Sequence, residues 1–234
     1  MAKINLLSSK IYNRIAAGEV VERPSSVVKE LVENSLDAGA TSITIEIEEG
    51  GISLVKITDN GCGIEKSQLK KALLPHATSK ISTLKDLDNI SSLGFRGEAL
   101  ASIASVSKIT IKSKPYEQES GAEIYAESGE VLNLDDCALP NGTEISVQNL
   151  FFNTPVRAKF LKTTRSEEGE VTATISRFVI GHSDVAFKYV ADGKVILHSY
   201  GDGFESAFVS VYGANTIADC FYIETEKNGI QIKG

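Results

Sequence analysis

The sequence predicts an α+β sandwich: strands in one layer with helices on one of its faces. Three observations carry this expectation. Apolar residues alternate with polar ones at period two in several separate segments, as in Ile43, Ile45 and Ile47. Two longer stretches, beginning near 24 and near 167, instead carry apolar residues at helical spacing. Between the alternating segments stand turn signals such as Ser128-Gly129 and Asp192-Gly193, which close hairpins and so favour antiparallel pairing.

The elements follow in order. Pro24 with Ser25 or Ser26 suits a helix start, proline in the first turn and serine as a cap. Val27, Val28, Leu31, Val32 and Leu36 then define one apolar face, and Gly39 ends the helix. At about 100° per residue, Glu30, Asn34 and Asp37 share a polar sector of roughly 60°. The alternating isoleucines of 43–47 and the segment ending at Asp59 read as two strands, with the Glu-Glu-Gly-Gly run at 48–51 as their hairpin turn. A helix is expected over 98–105, and strands over 108–114, 123–126, 131–134 and 143–149. A short helix follows Pro155 and a longer one spans 167–180. Strands at 185–190 and 195–199 flank the Asp192-Gly193 turn. Gly201, Asp202 and Gly203 mark a boundary between a domain over 1–200 and a unit over 201–234. A helix over 205–212 and two short strands there read as the start of a second α/β subdomain.

Composition bounds the function. With 234 residues, 42% of them hydrophobic, the chain can bury the core of one full domain and the start of another. No apolar run reaches the length of a membrane span and the start carries no signal-peptide core, so a soluble intracellular domain without a membrane partner is expected. Cys62, Cys137 and Cys220 are odd in number and widely spaced, which argues against a disulfide framework. His76, His182 and His198 with no CxxC pair argue against zinc. Cys62 reads as a packing residue. A net charge of −7 argues against strong nucleic-acid binding by the whole chain. Arg157, Lys159, Lys162 and Arg165 nevertheless form a basic cluster, either a solvated face or a DNA contact.

Three segments carry chemistry: KELVENSLDAGA (29–40), DNGCGI (59–64) and GFRGEAL (94–100). Asp59 ends a strand and is followed by Gly61 and Gly63, where backbone can approach a ligand closely; the bland alternative is an ordinary Asp-Asn-Gly turn. Lys66 stands where GxGxxG needs its third glycine, and no GxxxxGK[ST] occurs, so Rossmann and P-loop nucleotide sites are excluded. Gly94, Phe95, Arg96 and Gly97 precede a helix whose free N–H groups suit a phosphate. The small, polar stretch over 75–92 reads as a lid that closes over a ligand, or as a surface loop with a short helix.

ELVEN, DNGCGI, GFRGEAL and NGTEISV in this order resemble the four nucleotide-binding motifs of the GHKL ATPases. That superfamily includes the gyrase B subunit, the ninety-kilodalton heat-shock chaperone, histidine kinases and the MutL mismatch-repair proteins. IAAGEVVERP (15–24), HATSKI (76–81), GFRGEAL and LFFNTPVRAKFL (150–161) are similar to MutL segments in particular. The resemblance covers nearly the whole chain. A topoisomerase subunit, a chaperone, or a module that binds nucleotide without hydrolysing it are the alternatives.

The resemblance implies a Bergerat-type ATP-binding sandwich, a mixed, mainly antiparallel sheet with helices on one face, with ATP and magnesium as cofactors. Glu30 would be the general base, and Asn34 would hold the magnesium ion. Asp59 would accept a hydrogen bond from the adenine amino group, with Thr143 beside it through water. Gly61 and Gly63 would lie under the base and ribose. Lys80, Gly94, Phe95, Arg96, Gly97 and Leu100 would form the lid and phosphate clamp. The resemblance also implies an ATP-dependent second copy of the chain, with 15–24 at that surface. Further implied partners are a mismatch recognition protein, a downstream repair nuclease or helicase, and weakly bound DNA. The location would be cytoplasmic, or nuclear in a eukaryote. A lysine from a second subdomain and a C-terminal dimerisation domain belong to the same pattern, so the chain is expected to be a fragment with weak turnover alone.

Overall fold

The computed structural model describes residues 20–78, 80, 93, 97–217, 219–221 and 223–233. Helix α1, Pro24–Asp37, buries Val27, Val28, Leu31 and Val32 almost completely; each such side chain contributes about 1.5–3 kcal/mol when it leaves water. Strands β1 (Ser42–Glu48) and β2 (Leu54–Asp59) run antiparallel beside it, with Ile45 opposite Ile57. Then come α2 (Lys66–Ala72), α3 (Ala99–Ser105), β3 (Lys108–Lys114), β4 (Gly121–Glu127), β5 (Glu130–Cys137) and β6 (Gly142–Gln148). A short α4 (Pro155–Ala158) and the long α5 (Thr164–Gly181) lead into β7 (Ala186–Ala191) and β8 (Lys194–Tyr200). Helices α6 (Phe204–Tyr212) and α7 (Ala214–Ile217) precede a small hairpin, β9 (Glu224–Lys227) and β10 (Ile230–Lys233).

Strands β1 to β8 form one sheet in the order β5-β4-β3-β6-β2-β1-β7-β8. All neighbours are antiparallel except β1 and β7, which pair in parallel. This is the mixed, mainly antiparallel sandwich expected. The alternating residues explain its one-sided helix layer. Ile43, Ile45, Ile47, Val55, Ile57, Ile109, Ile111, Ile124, Ile145, Val147, Phe187 and Tyr189 line one face and are buried there. The opposite face carries a ladder of ion pairs across five strands. Lys56 Nζ lies 3.0 Å from Glu46 and 3.7 Å from Glu144, and Lys112 Nζ lies 3.4 Å from Glu144 and 3.5 Å from Glu123. A sheet with one polar face needs helices only on the other.

Local departures have local causes. The 48–51 run is not a tight hairpin turn: Glu49–Gly51 is a 3₁₀ turn and β2 starts only at Leu54. Gly50 and Gly51 are needed there because a Cβ would meet the Thr164 carbonyl at 2.4 Å and the Pro24 side chain at 2.7 Å. The turn is a platform for two helix starts. Helix α5 begins at Thr164, earlier than expected, because Thr163 caps it by accepting from the Ser166 N–H. Helix α2 went unpredicted since Leu69 alone among its residues is buried, too little for a periodic signal. Cys62, expected to pack, is exposed; its N–H donates to the Ala38 carbonyl at 2.9 Å, which fixes the backbone and leaves the side chain outside.

Candidate functional site

The apolar rows of the inner sheet face end in polar residues. Asp59 follows Val55 and Ile57 at period two on β2, Thr143 precedes Ile145 and Val147 on β6, and Ser113 follows Ile109 and Ile111 on β3. Register places these three side by side, Asp59 opposite Thr143 and Thr143 opposite Ser113. They therefore face the helix layer, at one end of the sheet. The Ser113 hydroxyl accepts from the Ile64 N–H at 2.7 Å and lies 2.8 Å from Thr143 Oγ1 and 3.1 Å from the Gly142 carbonyl. It ties the glycine turn to the strand pair.

Asp59 is the most constrained group in this row. Its Oδ1 accepts the Gly61 N–H at 2.8 Å and its Oδ2 accepts the Ser35 hydroxyl, also at 2.8 Å. Burial pushes its carboxyl above the usual aspartate range, opposed by the hydrogen bonds from Gly61 and Ser35. The turn beyond it is tight. A Cβ on Gly61 would sit 2.8 Å from that of Ala38 and 3.1 Å from Asp59 Oδ1. Gly63 has φ 74, and a Cβ there would meet the Lys114 carbonyl at 2.6 Å.

Serine 35 belongs to α1, so its bond stitches the helix to the end of β2. One residue earlier, the Asn34 side chain emerges on the polar sector expected. Lys80 Nζ donates to Asn34 Oδ1 at 3.0 Å and to Asp37 Oδ2 at 2.5 Å, and the Leu93 N–H donates to Asp37 Oδ1 at 3.1 Å. Glu30, one turn before Asn34, pairs with Lys29 at 3.3 Å and is three-quarters covered. Gly97 approaches the Ala77 backbone closely, since a Cβ on it would lie 2.6 Å from the Ala77 carbonyl. His76 Nδ1 lies 3.2 Å from Glu98 Oε1, joining the same two segments.

A family model described as histidine kinase-, DNA gyrase B- and HSP90-like ATPase matches residues 22–147, more than half of the chain. The ATPase domain of Aquifex aeolicus MutL, solved in complex with ADP, is 33% identical, with a TM-score of 0.67 over 88% of this chain and 72% of that one. The chain belongs to the MutL-type GHKL ATPase domains. The N-terminal domain of a DNA repair protein has a TM-score of 0.77 at 27% identity, over 91% of this chain and 63% of that one. The DNA mismatch repair protein MutL of Clostridium tetani is 47% identical over 100% of this chain, and that of Clostridium perfringens 48%. The chain spans 38% and 35% of those two relatives' lengths.

In this MutL-type domain the expected site residues fall into two groups. Asp59, Gly61, Gly63 and Thr143 stand together at the end of β2 and β6. Asn34 and Lys80 meet directly, with Glu30 a turn away on the same helix. Leu100 lies in the first turn of α3 with its side chain against the core. Gly94, Phe95 and Arg96, most of the 75–92 stretch expected as a lid, and 15–19 lie outside the described residues. The basic cluster is partly engaged within the domain: Arg157 stacks over the Phe151 ring at 5.3 Å and Lys162 bonds Glu170 at 3.0 Å.

Ser35 and Ser113 were missed by motif reading. Their signal was periodicity: both are polar residues standing on otherwise apolar, buried faces, where a hydroxyl must find a partner. Magnesium fits the residues present. Asn34 Oδ1 and the Asp37 carboxylate are hard oxygen donors already gathered around a cation, the Lys80 ammonium. Among the described residues no group of three or more His, Cys, Asp and Glu could enclose a metal. A magnesium ion here would therefore share its coordination with waters and phosphate oxygens, as that ion usually does.

Proposed function

We propose that this domain binds ATP with magnesium and hydrolyses it slowly, as the nucleotide switch of a mismatch-repair protein. The observation that carries the reading is the half-buried Asp59 carboxylate beside a glycine turn, in register with Thr143 and linked through Ser35 to the helix that bears Asn34. Such a carboxylate can only accept hydrogen bonds while ionised, which suits the exocyclic amine of adenine. The ADP bound by the Aquifex aeolicus relative supports the same ligand class.

Asn34, with Asp37, would hold the magnesium, which supplies charge neutralisation to the phosphates. Lys80 lies within reach of both and can move from Asn34 and Asp37 to a phosphate as the cation arrives. Glu30 is the base in this reading: its carboxylate would take a proton from the attacking water, on the same helix face as Asn34 and one turn from it. Gly97 and the N–H groups opening α3, with Gly94, Phe95 and Arg96, would receive the phosphate tail. Thr143 would hold the base edge through water.

In the complete protein, nucleotide binding would favour pairing with a second copy. It would also govern contacts with a mismatch recognition protein, a downstream nuclease or helicase, and weakly held DNA. The kinship with bacterial MutL proteins supports a cytoplasmic location. Among the described residues no helix is long and apolar enough to cross a membrane. We place the start of a second subdomain at 201, although Ala207 of α6 packs into the main core.

Phosphate release tests the division of labour. In the full-length protein, Glu30→Ala is expected to keep nucleotide affinity and to lose hydrolysis by roughly 10²–10⁴-fold, the usual size of a general-base contribution. A variant that hydrolyses at the parent rate removes Glu30 from the reaction.

A further inference from the structure

We propose that Ser35 is a positioning residue for base recognition, holding the Asp59 carboxylate so that one acceptor direction on Oδ2 remains for a ligand N–H. The inference rests on the reading of Asp59 as the adenine contact. Ser35 stands on the apolar face of α1 and is 4% exposed, so its hydroxyl cannot turn to water. Two acceptors lie within its reach, the Leu31 carbonyl at 3.2 Å and Asp59 Oδ2 at 2.8 Å. The hydroxyl has one proton, and the shorter bond to the charged oxygen takes it.

The count at Asp59 then gives the specificity. An ionised carboxylate offers about four lone-pair directions. The Gly61 N–H takes one on Oδ1 and the Ser35 hydroxyl takes one on Oδ2. The direction left on Oδ2 accepts one donor, which an adenine amine supplies and the carbonyl of guanine or hypoxanthine does not. Without the Ser35 proton the carboxylate loses its anchor at Oδ2, and its terminal torsion, broad and roughly two-fold by nature, is free to turn. Ser35 touches no ligand in this scheme. It acts through Asp59.

The test is a ratio of affinities, measured by calorimetric titration with magnesium. ATP is compared with purine riboside triphosphate, which lacks the 6-amino group, on the parent chain and on Ser35→Ala, Ser35→Cys and Ser35→Thr. The parent is expected to prefer ATP, by about tenfold or more. Ser35→Ala and Ser35→Cys are expected to keep binding the purine analogue while the preference for ATP falls about tenfold, and Ser35→Thr, which restores a hydroxyl, to recover it. If Ser35→Ala does not fold, the comparison of the cysteine and threonine variants carries the test, since both fill the site and only one donates well. Equal weakening towards both nucleotides, or an unchanged ratio, would mean that Ser35 serves helix packing alone and would overturn the proposal. A parent ratio near one has a different meaning: it removes Asp59 as the adenine contact, and this inference with it.

Discussion

Asp59 is where the proposed function and stability pull in opposite directions. Burial raises its carboxyl above the 3.8 of a free aspartate, so the folded state keeps its proton to a higher pH than the unfolded state does. The group therefore favours folding below about pH 4, and that contribution is lost as the pH rises through its folded value. At neutral pH the ionised carboxylate works against the nucleotide-free fold. Asparagine can replace it without orphans: its oxygen accepts the Gly61 N–H, its amide donates to Ser35 Oγ, and the Ser35 proton turns to Leu31. Asp59→Asn is thus expected to melt no lower than the parent at pH 7, with any gain shrinking towards pH 4; a clearly lower melting temperature at pH 7 contradicts this. At this scale the residues of the proposed site were legible where they matched a motif position, as Asp59, Gly61 and Asn34 do. Ser35 and Ser113 were not, because a lone serine in an apolar period announces only that it has a partner, and the partner lies on another element.

The elements that hold the site are held in turn by close backbone approach and by caps. Gly142 opens β6 with φ 119, and a Cβ there would lie 2.0 Å from the Asp59 carbonyl. Gly142→Ala must push β6 away from β2 at the point where Asp59 meets Thr143. It is expected to destabilise the fold by about 2 kcal/mol or more, in denaturant titrations, through strain and lost pairing. Thr163 caps α5 through its bond from the Ser166 N–H, so Thr163→Ala is expected to cost about 0.5–2 kcal/mol while leaving nucleotide affinity unchanged. Apart from α2, the strands and the longer helices were legible from period and turn residues, down to the β7–β8 hairpin at Asp192-Gly193. Boundaries were less so. Thr163 capping advanced α5, and packing of Gly50 and Gly51 under Pro24 and Thr164 widened the connection of the β1–β2 hairpin into a 3₁₀ turn. Both depend on contacts between segments far apart in sequence.

For the whole molecule, alternation gives each strand its buried face but not its neighbours. The parallel pairing of β1 with β7 and the central place of β6 beside β2 come from the completed fold, and it is this order that sets Thr143 against Asp59. The proposed site thus lies where α1 meets the ends of the central strands, and a ligand there would bridge helix and sheet. A nucleotide that binds only the folded state is expected to raise stability by about 2.7 kcal/mol at a hundred times its dissociation constant, readable as a rise in melting temperature. The most direct test of the central claim is calorimetric titration of the chain with a non-hydrolysable ATP analogue and magnesium, alongside Asp59→Asn and Asn34→Ala. The expected result is saturable, magnesium-dependent binding to the parent, a loss of about 1–3 kcal/mol of affinity in Asp59→Asn, where an amide faces the adenine donor, and loss of the magnesium dependence in Asn34→Ala. Affinities that are the same for all three proteins, or no binding by the parent, would contradict it.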